Sequence, residues 1–339
     1  MPLESVRASP VWRWAPLVVT AAAVGALWFG FPETRRIREA PGPPWAAIGW
    51  FAGCYVLWTG LRGVRYWLLL GGPATVGRPV VAIAYVHHAA IDFLPFRSGV
   101  LTYPVLSRFL TGMRWRRILA SMVGASLGDV LATALYLQWF LPWEVGLALW
   151  GLTACLVGLG VSFRRFVPTW FRRRHRMRRD RFRAGWWAWV GLSLIFQRRT
   201  PGQWGLWAAL SVAIVTLKYV GLTVLYHGWV TAYGMPSVSV STLFQALVAA
   251  ELSREIPLHG WLHLGTWELA WLAVTGSEAQ APVALLTHVT YEAVILLSAL
   301  PAALYLAFSE GRPLPIRSQV PGAGSPGEVG HRKVGIYGE

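Results

Sequence analysis

Lysine is nearly missing from this sequence: of 31 basic residues only Lys218 and Lys333 are lysines, and the rest are arginines. Acidic residues are scarce as well, 15 in 339 positions, and the two cysteines, Cys54 and Cys155, fall in apolar runs without metal-ligand spacing. That cysteine usage argues against a disulfide framework and a paired-Cys zinc site, and leaves two free thiols packed in apolar surroundings. A nucleophile elbow, a Walker loop, a protein-kinase motif set and a Glu-bearing zinc-protease motif are all missing. No enzymatic activity, cofactor or metal is therefore expected. A cleavable signal is not expected either, because the first apolar run is followed by the charged "PETRRIREAPGPP" and not by a small-residue cleavage site.

Charge of any sign is limited to 14% of the residues, whereas 55% are hydrophobic and 21 are Trp. A water-soluble domain of this size has no use for so much apolar surface. Apolar runs fall at 15–31, 45–70, 78–94, 115–140, 143–163, 203–229, 238–253 and 281–308, with Trp and Tyr crowding their ends. Aromatic ends mark the membrane–water interface, and backbone groups in lipid must be satisfied within each segment. The fold class expected is all-α, a polytopic integral membrane protein with about six spanning helices and two re-entrant helical hairpins.

The net charge of +16 lies in loops between these runs, which favours anionic lipid headgroups over nucleic acid as partners. Ten arginines occupy 164–183, and the positive-inside rule makes that loop cytoplasmic. The following "AGWWAWVGLSLIF" (184–196) is too short to span and reads as an interfacial helix. The loop at 32–44, with Arg35, Arg36 and Arg38, would then lie outside, so the first two spans are left without a fixed orientation. A membrane domain is expected over 1–308, its first half at about 15–163 and its second at 203–308. A Pro- and Gly-rich disordered tail is expected over 309–339. The expected location is a bacterial cytoplasmic (inner) membrane.

Two stretches break the spanning pattern. In "DFLPFRSGVLTYPVLSR" an apolar helix runs into Pro95 and Gly99, and about 13 residues remain before the next basic turn. As a helix they would reach only about 20 Å, short of a hydrocarbon core about 30 Å thick. A re-entrant hairpin follows: helix in, break at "LPFRSG", helix back to the same side. "REIPLHGWLHLGTWELAWLAVTG" (254–276) has the same grammar, with breaks at Pro257 and Gly260. One return leg ends in "LTG" and the other in "VTG", which makes the two units candidates for an inverted repeat with a transporter-like site between them.

"LPFRSGVLTYPVLSRFLTGMRWRRILASMVGASLGDVLA" and the later "IPLHGWLHLGTWELA" resemble the membrane domain of the lysylphosphatidylglycerol synthase/flippase family, over about 45–308. Pro95, Gly99, Ser107, Arg108, Ser121 and Asp129 match that pattern, as do Pro257, Gly260, Gly265 and Glu268. The resemblance implies an integral membrane protein, with some members implicated in moving aminoacylated phospholipids between leaflets. This chain departs at Ala125-Ser126, where a Glu-Arg pair is usual, and at Trp267, where Arg is usual. The aminoacyl-transfer domain of the bifunctional members is not expected.

Charges within apolar runs mark the candidate site, because each is expensive in lipid and needs a partner. Lys218 stands mid-span, and Asp129 and Glu268 are similarly deep. The expectation is contact with a lipid headgroup or pathway carboxylate, against a structural ion pair of Lys218 with Asp129, Glu251, Glu255 or Glu268. Arg97 at a hairpin tip suits a headgroup phosphate, and Arg108 either binds or snorkels. His88 with Asp92, and His259 with His263, sit at i, i+4, a spacing that suits interhelical hydrogen bonds better than a metal. Lys218, Arg97, Asp129 and Glu268 are expected to share one polar cavity. The function expected is translocation of an anionic or zwitterionic phospholipid. The alternatives are a membrane-embedded enzyme on a lipid-linked substrate and an accessory subunit. A homo-oligomer or a partner membrane protein stays open.

Overall fold

The computed structural model describes residues 42–72, 74–140, 151, 200–254 and 263–309. The runs at 15–31 and 143–163, the arginine loop, the interfacial helix, Pro257, Gly260 and the tail beyond 309 lie outside the described residues. So do the side chains of Pro95 and Arg97.

All regular structure among the described residues is helical. Eight α-helices follow one another: α1 (Trp45–Leu69), α2 (Gly77–Phe93), α3 (Thr102–Thr111), α4 (Trp115–Phe140), α5 (Pro201–Tyr233), α6 (Val240–Ser253), α7 (Thr266–Thr275) and α8 (Ala281–Ser309). Short 3-10 turns cover Ala74–Val76, Pro95–Leu101 and Glu278–Gln280. Their starts follow local chemistry. Thr200 accepts from the Gln203 N–H at 3.3 Å while Gln203 Oε1 accepts from the Thr200 N–H, and Pro201 opens α5. Ser239 caps α6 by accepting from the Thr242 N–H at 3.1 Å.

The break after α2 is a tight 3-10 turn, not an irregular loop. A Cβ on Gly99 would lie 1.9 Å from the Ala90 carbonyl oxygen, so only glycine lets the turn fold back on α2. Tyr103 then meets His87, with ring centroids 5.6 Å apart, which shows α3 running back along α2. Tyr103 OH and Ser121 Oγ lie 2.8 Å apart and tie this return leg to α4. In the second half α6 and α7 pack against each other. The return helices α3 and α7 are both 10 residues long and both end at a left-handed glycine, Gly112 (φ 65) and Gly276 (φ 61). The shared Thr-Gly ending of the two stretches is therefore a shared helix stop.

Helix lengths repeat along the chain, with 25, 17, 10 and 26 residues in α1 to α4 and 33, 14, 10 and 29 in α5 to α8. The leading helices α1 and α5 pack antiparallel: Gly228 meets Ala47, Gly221 meets Cys54, and Arg65 reaches Ser211. The helices that precede the two interrupted units thus run in opposite directions. An aromatic centre built from Phe51, Trp58, Tyr226, Trp267, Trp271 and Tyr291 fills the space between them.

Among the described residues, three helical segments are long and apolar enough to cross a membrane, Trp115–Gln138, Pro201–Tyr233 and Glu278–Ser309. Only 39%, 39% and 28% of their most apolar windows are buried inside the fold, so most of that surface faces outward. Trp45, Phe109, Val130, Leu297, Leu304 and Phe308 are among the exposed side chains, while Arg65, Asp92, His263, Glu268, His288 and Glu292 are buried. An apolar exterior over a charged interior is the arrangement of a membrane protein and not of a water-soluble one.

Candidate functional site

Among the described residues, most of the buried charges gather around the C-terminal ends of α2 and α6, facing α5, α7 and α8. Arg254, at the C-terminal end of α6, is the hub. Its Nη2 is paired with Asp92 Oδ1 at the C-terminal end of α2 and lies 3.3 Å from Glu292 Oε1 on α8. Its Nη1 lies 3.2 Å from Glu251 Oε1 one turn earlier and donates to Tyr291 OH at 2.9 Å, with the guanidinium 5.0 Å from the Tyr291 ring centre. Three carboxylates and an aromatic face around one guanidinium use the planar fork that lysine lacks.

The network extends in two directions from this hub. Towards α5, Lys218 Nζ is paired with Glu251 Oε2. Towards α7, His288 places Nε2 3.3 Å from Glu292 Oε1 and Nδ1 2.7 Å from Glu268 Oε1. Glu268 Oε2 accepts from the Gly265 N–H at 2.7 Å, closing the first turn of α7. Trp267 stacks on the His288 ring at 4.7 Å. His263 Nε2 lies 3.6 Å from Asp92 Oδ1, and Tyr55 OH meets His88 Nδ1 at 3.0 Å one turn earlier on α2. Lys218 and Glu268 are thereby joined through Glu251, Arg254, Glu292 and His288.

Asp129 is not part of that network. Its Oδ1 accepts from Arg65 Nη1 at 2.7 Å, its Oδ2 lies 3.6 Å from Arg62 Nη2, and Arg65 also donates to Ser211 Oγ at 3.0 Å. Of the four residues expected to share one cavity, Lys218 and Glu268 are joined through the Arg254 network, the side chain of Arg97 lies outside the described residues, and Asp129 pairs with the α1 arginines instead. The physical reason is that α1 brings two arginines against α4, and they take up the carboxylate first. Arg108 is exposed and donates to the carbonyls of Gly112 and Met113, both at 2.8 Å, which satisfies the open end of α3. Gly99 forms the tip of the first turn as described above. Ser107 and Ser121 are buried on either side of Tyr103.

Sequence reasoning named Lys218 and Glu268 and offered Glu251 only as a structural partner. It missed Arg254, Glu292 and His288 as members of the site. The pair "THVTYEA" carried the signal, since His288 and Glu292 stand i, i+4 inside a 29-residue apolar helix. Spacing along the chain sets Asp92 one turn from His88, and the fold also brings His263 within 3.6 Å of Asp92; His259 lies outside the described residues. Among the described residues no group of three or more His, Cys, Asp or Glu side chains is arranged to hold a metal ion.

Comparison with protein families, curated proteins and solved structures gave no match for the chain.

Proposed function

We propose that this protein moves an anionic or zwitterionic phospholipid between the leaflets of a bacterial cytoplasmic membrane, as a carrier and not as an enzyme. The observation that carries this reading is the continuous ionic network between the ends of the two broken helical units, enclosed by a bundle whose outside is apolar. Ten residues of return helix reach about 15 Å, half of a hydrocarbon core of about 30 Å, so α3 and α7 are read as legs of re-entrant hairpins. The antiparallel start of the two halves supports hairpins that enter from opposite faces, as in an inverted repeat. Lys218, near the middle of the 33-residue α5, then lies near the membrane midplane.

Such a site works by exchange. A headgroup phosphate takes the place of a carboxylate on Arg254 or Lys218, and a positive group on the lipid takes the place of a cation on Glu251, Glu268 or Glu292. Acyl chains stay outside along the apolar faces. The arginine loop at 164–183 is read as cytoplasmic and as a contact for anionic headgroups. The resemblance to the lysylphosphatidylglycerol flippase membrane domain points the same way, towards lipids with an amino-acid-bearing headgroup.

A leaflet-specific assay on proteoliposomes tests the reading, with labelled phosphatidylglycerol, lysylphosphatidylglycerol and phosphatidylethanolamine compared side by side. Faster movement of at least one of them than in protein-free vesicles is expected. Equal rates in vesicles with and without protein, for all three lipids, would remove the proposal.

A further inference from the structure

Among the described residues, the network around Arg254 holds four carboxylates, Asp92, Glu251, Glu268 and Glu292, but only two permanent cations, Lys218 and Arg254. Counting Arg97, whose side chain lies outside the described residues, would still leave carboxylates in excess. The neighbouring arginines on α1 do not fill the gap, because Arg62 and Arg65 are drawn onto Asp129 of α4. A carboxylate buried without a cation neutralises itself by taking up a proton.

The geometry shows where such a proton sits. Both ring nitrogens of His288 face carboxylate oxygens, Nδ1 at 2.7 Å from Glu268 and Nε2 at 3.3 Å from Glu292. A neutral imidazole has one nitrogen that only accepts, and it would face an oxygen that only accepts. One proton more than two carboxylates and a neutral histidine carry would relieve that mismatch. That proton is either on the second nitrogen of His288 or on one of the two glutamates. The surrounding elements contribute Asp92 and His88 from α2, Arg254 and Glu251 from α6, Lys218 from α5, His263 before α7, and Tyr55 and Arg62 from α1.

We infer that the Glu268–His288–Glu292 triad is a proton-binding site and that a second proton, taken up there when a headgroup engages Arg254, is the coupling ion for headgroup movement. The coupling half of this inference rests on the translocation reading; the proton site does not. The exchange balances as follows. When a headgroup phosphate engages Arg254, Asp92 and Glu292 lose their cation, and a second proton, taken from water in addition to the resting one, takes its place. When the phosphate leaves, Arg254 returns to the carboxylates and that proton goes back to water. Proton and anionic headgroup are bound together and released together.

Two measurements on the full-length protein, reconstituted in phosphatidylcholine vesicles with a trace of labelled phosphatidylglycerol, test this. Infrared spectroscopy near neutral pH should detect a buried carboxylic-acid or imidazolium signal that is lost in Glu268→Gln/Glu292→Gln. Glu292→Gln alone provides a second variant should the pair fail to fold. An imposed pH gradient should speed phosphatidylglycerol movement several-fold in the direction of proton flow, and the gradient effect should be lost in the same variants. A spectrum without such a signal, or one unchanged in both variants, overturns the proton site. Movement that ignores the gradient while the signal is present overturns the coupling. Absence of any movement with the signal intact overturns the translocation reading and the coupling with it, and leaves the proton site standing.

Discussion

Two ionic clusters lie side by side in this fold, and they are built on opposite plans. Arg62, Arg65 and Asp129 join α1 to α4 between continuous helices, with two cations for one carboxylate and Ser211 as a further acceptor. The Arg254 network instead joins the broken ends of α2, α6 and α7 to the middles of α5 and α8, and its carboxylates outnumber its cations. The difference is in what each can release. A compact pair between two long helices is held by the packing around it. A multi-partner network at helix ends can trade one partner for a ligand, because each carboxylate has a second group to fall back on. Buried ion pairs alone are weak support for either stability or function. The surplus of carboxylates over cations is what separates the exchange site from the clamp.

Three substitutions sharpen that contrast. Arg254→Met has the largest expected effect, since it strips the one cation shared by Asp92, Glu251 and Glu292. Removing one side of such a buried network costs about 3–5 kcal/mol, to be read as a lowered thermal unfolding midpoint in detergent, and lipid movement should be lost. Lys218→Met is milder. Glu251 keeps Arg254 at 3.2 Å, so the cost falls to about 1–3 kcal/mol, with lipid movement slowed in protein that still folds. Asp129→Asn should be the mildest, because the amide oxygen still accepts from Arg65. About 1 kcal/mol of stability is expected to be lost, and lipid movement should fall less than in Lys218→Met. A reversed order, with Asp129→Asn the most damaging to movement, would exchange the roles assigned to the two clusters.

Much of this architecture was legible in the sequence because lipid simplifies the rules. Long apolar runs had to be helices, and the observed α4, α6 and α8 begin and end within two residues of the runs read from hydropathy. The Pro95–Gly99 break was legible because both residues interrupt a helix. The 3-10 winding of that break was not, since it depends on Gly99 packing against Ala90 across the turn. The site was legible in part. Lys218 and Glu268 stood out as charges in apolar surroundings, and so did the need for partners. Which partners they take is a matter of helix rotation and long-range packing: Arg65 meets a residue 64 positions away and Arg254 one 38 positions away. No local pattern encodes those distances. The partners of Asp129 are hidden for the same reason, since Arg62 and Arg65 stand on α1, far away in sequence.

The central claim is that a lipid headgroup passes along the Arg254 network. A phosphatidylglycerol analogue with a photoactivatable group on its headgroup tests it most directly, irradiated during turnover in proteoliposomes and mapped by mass spectrometry. The account predicts adducts on the peptides around Glu251–Arg254 and His288–Glu292, with fewer in Lys218→Met. Adducts confined to the outward apolar faces, such as those around Phe109 and Leu297, would contradict it.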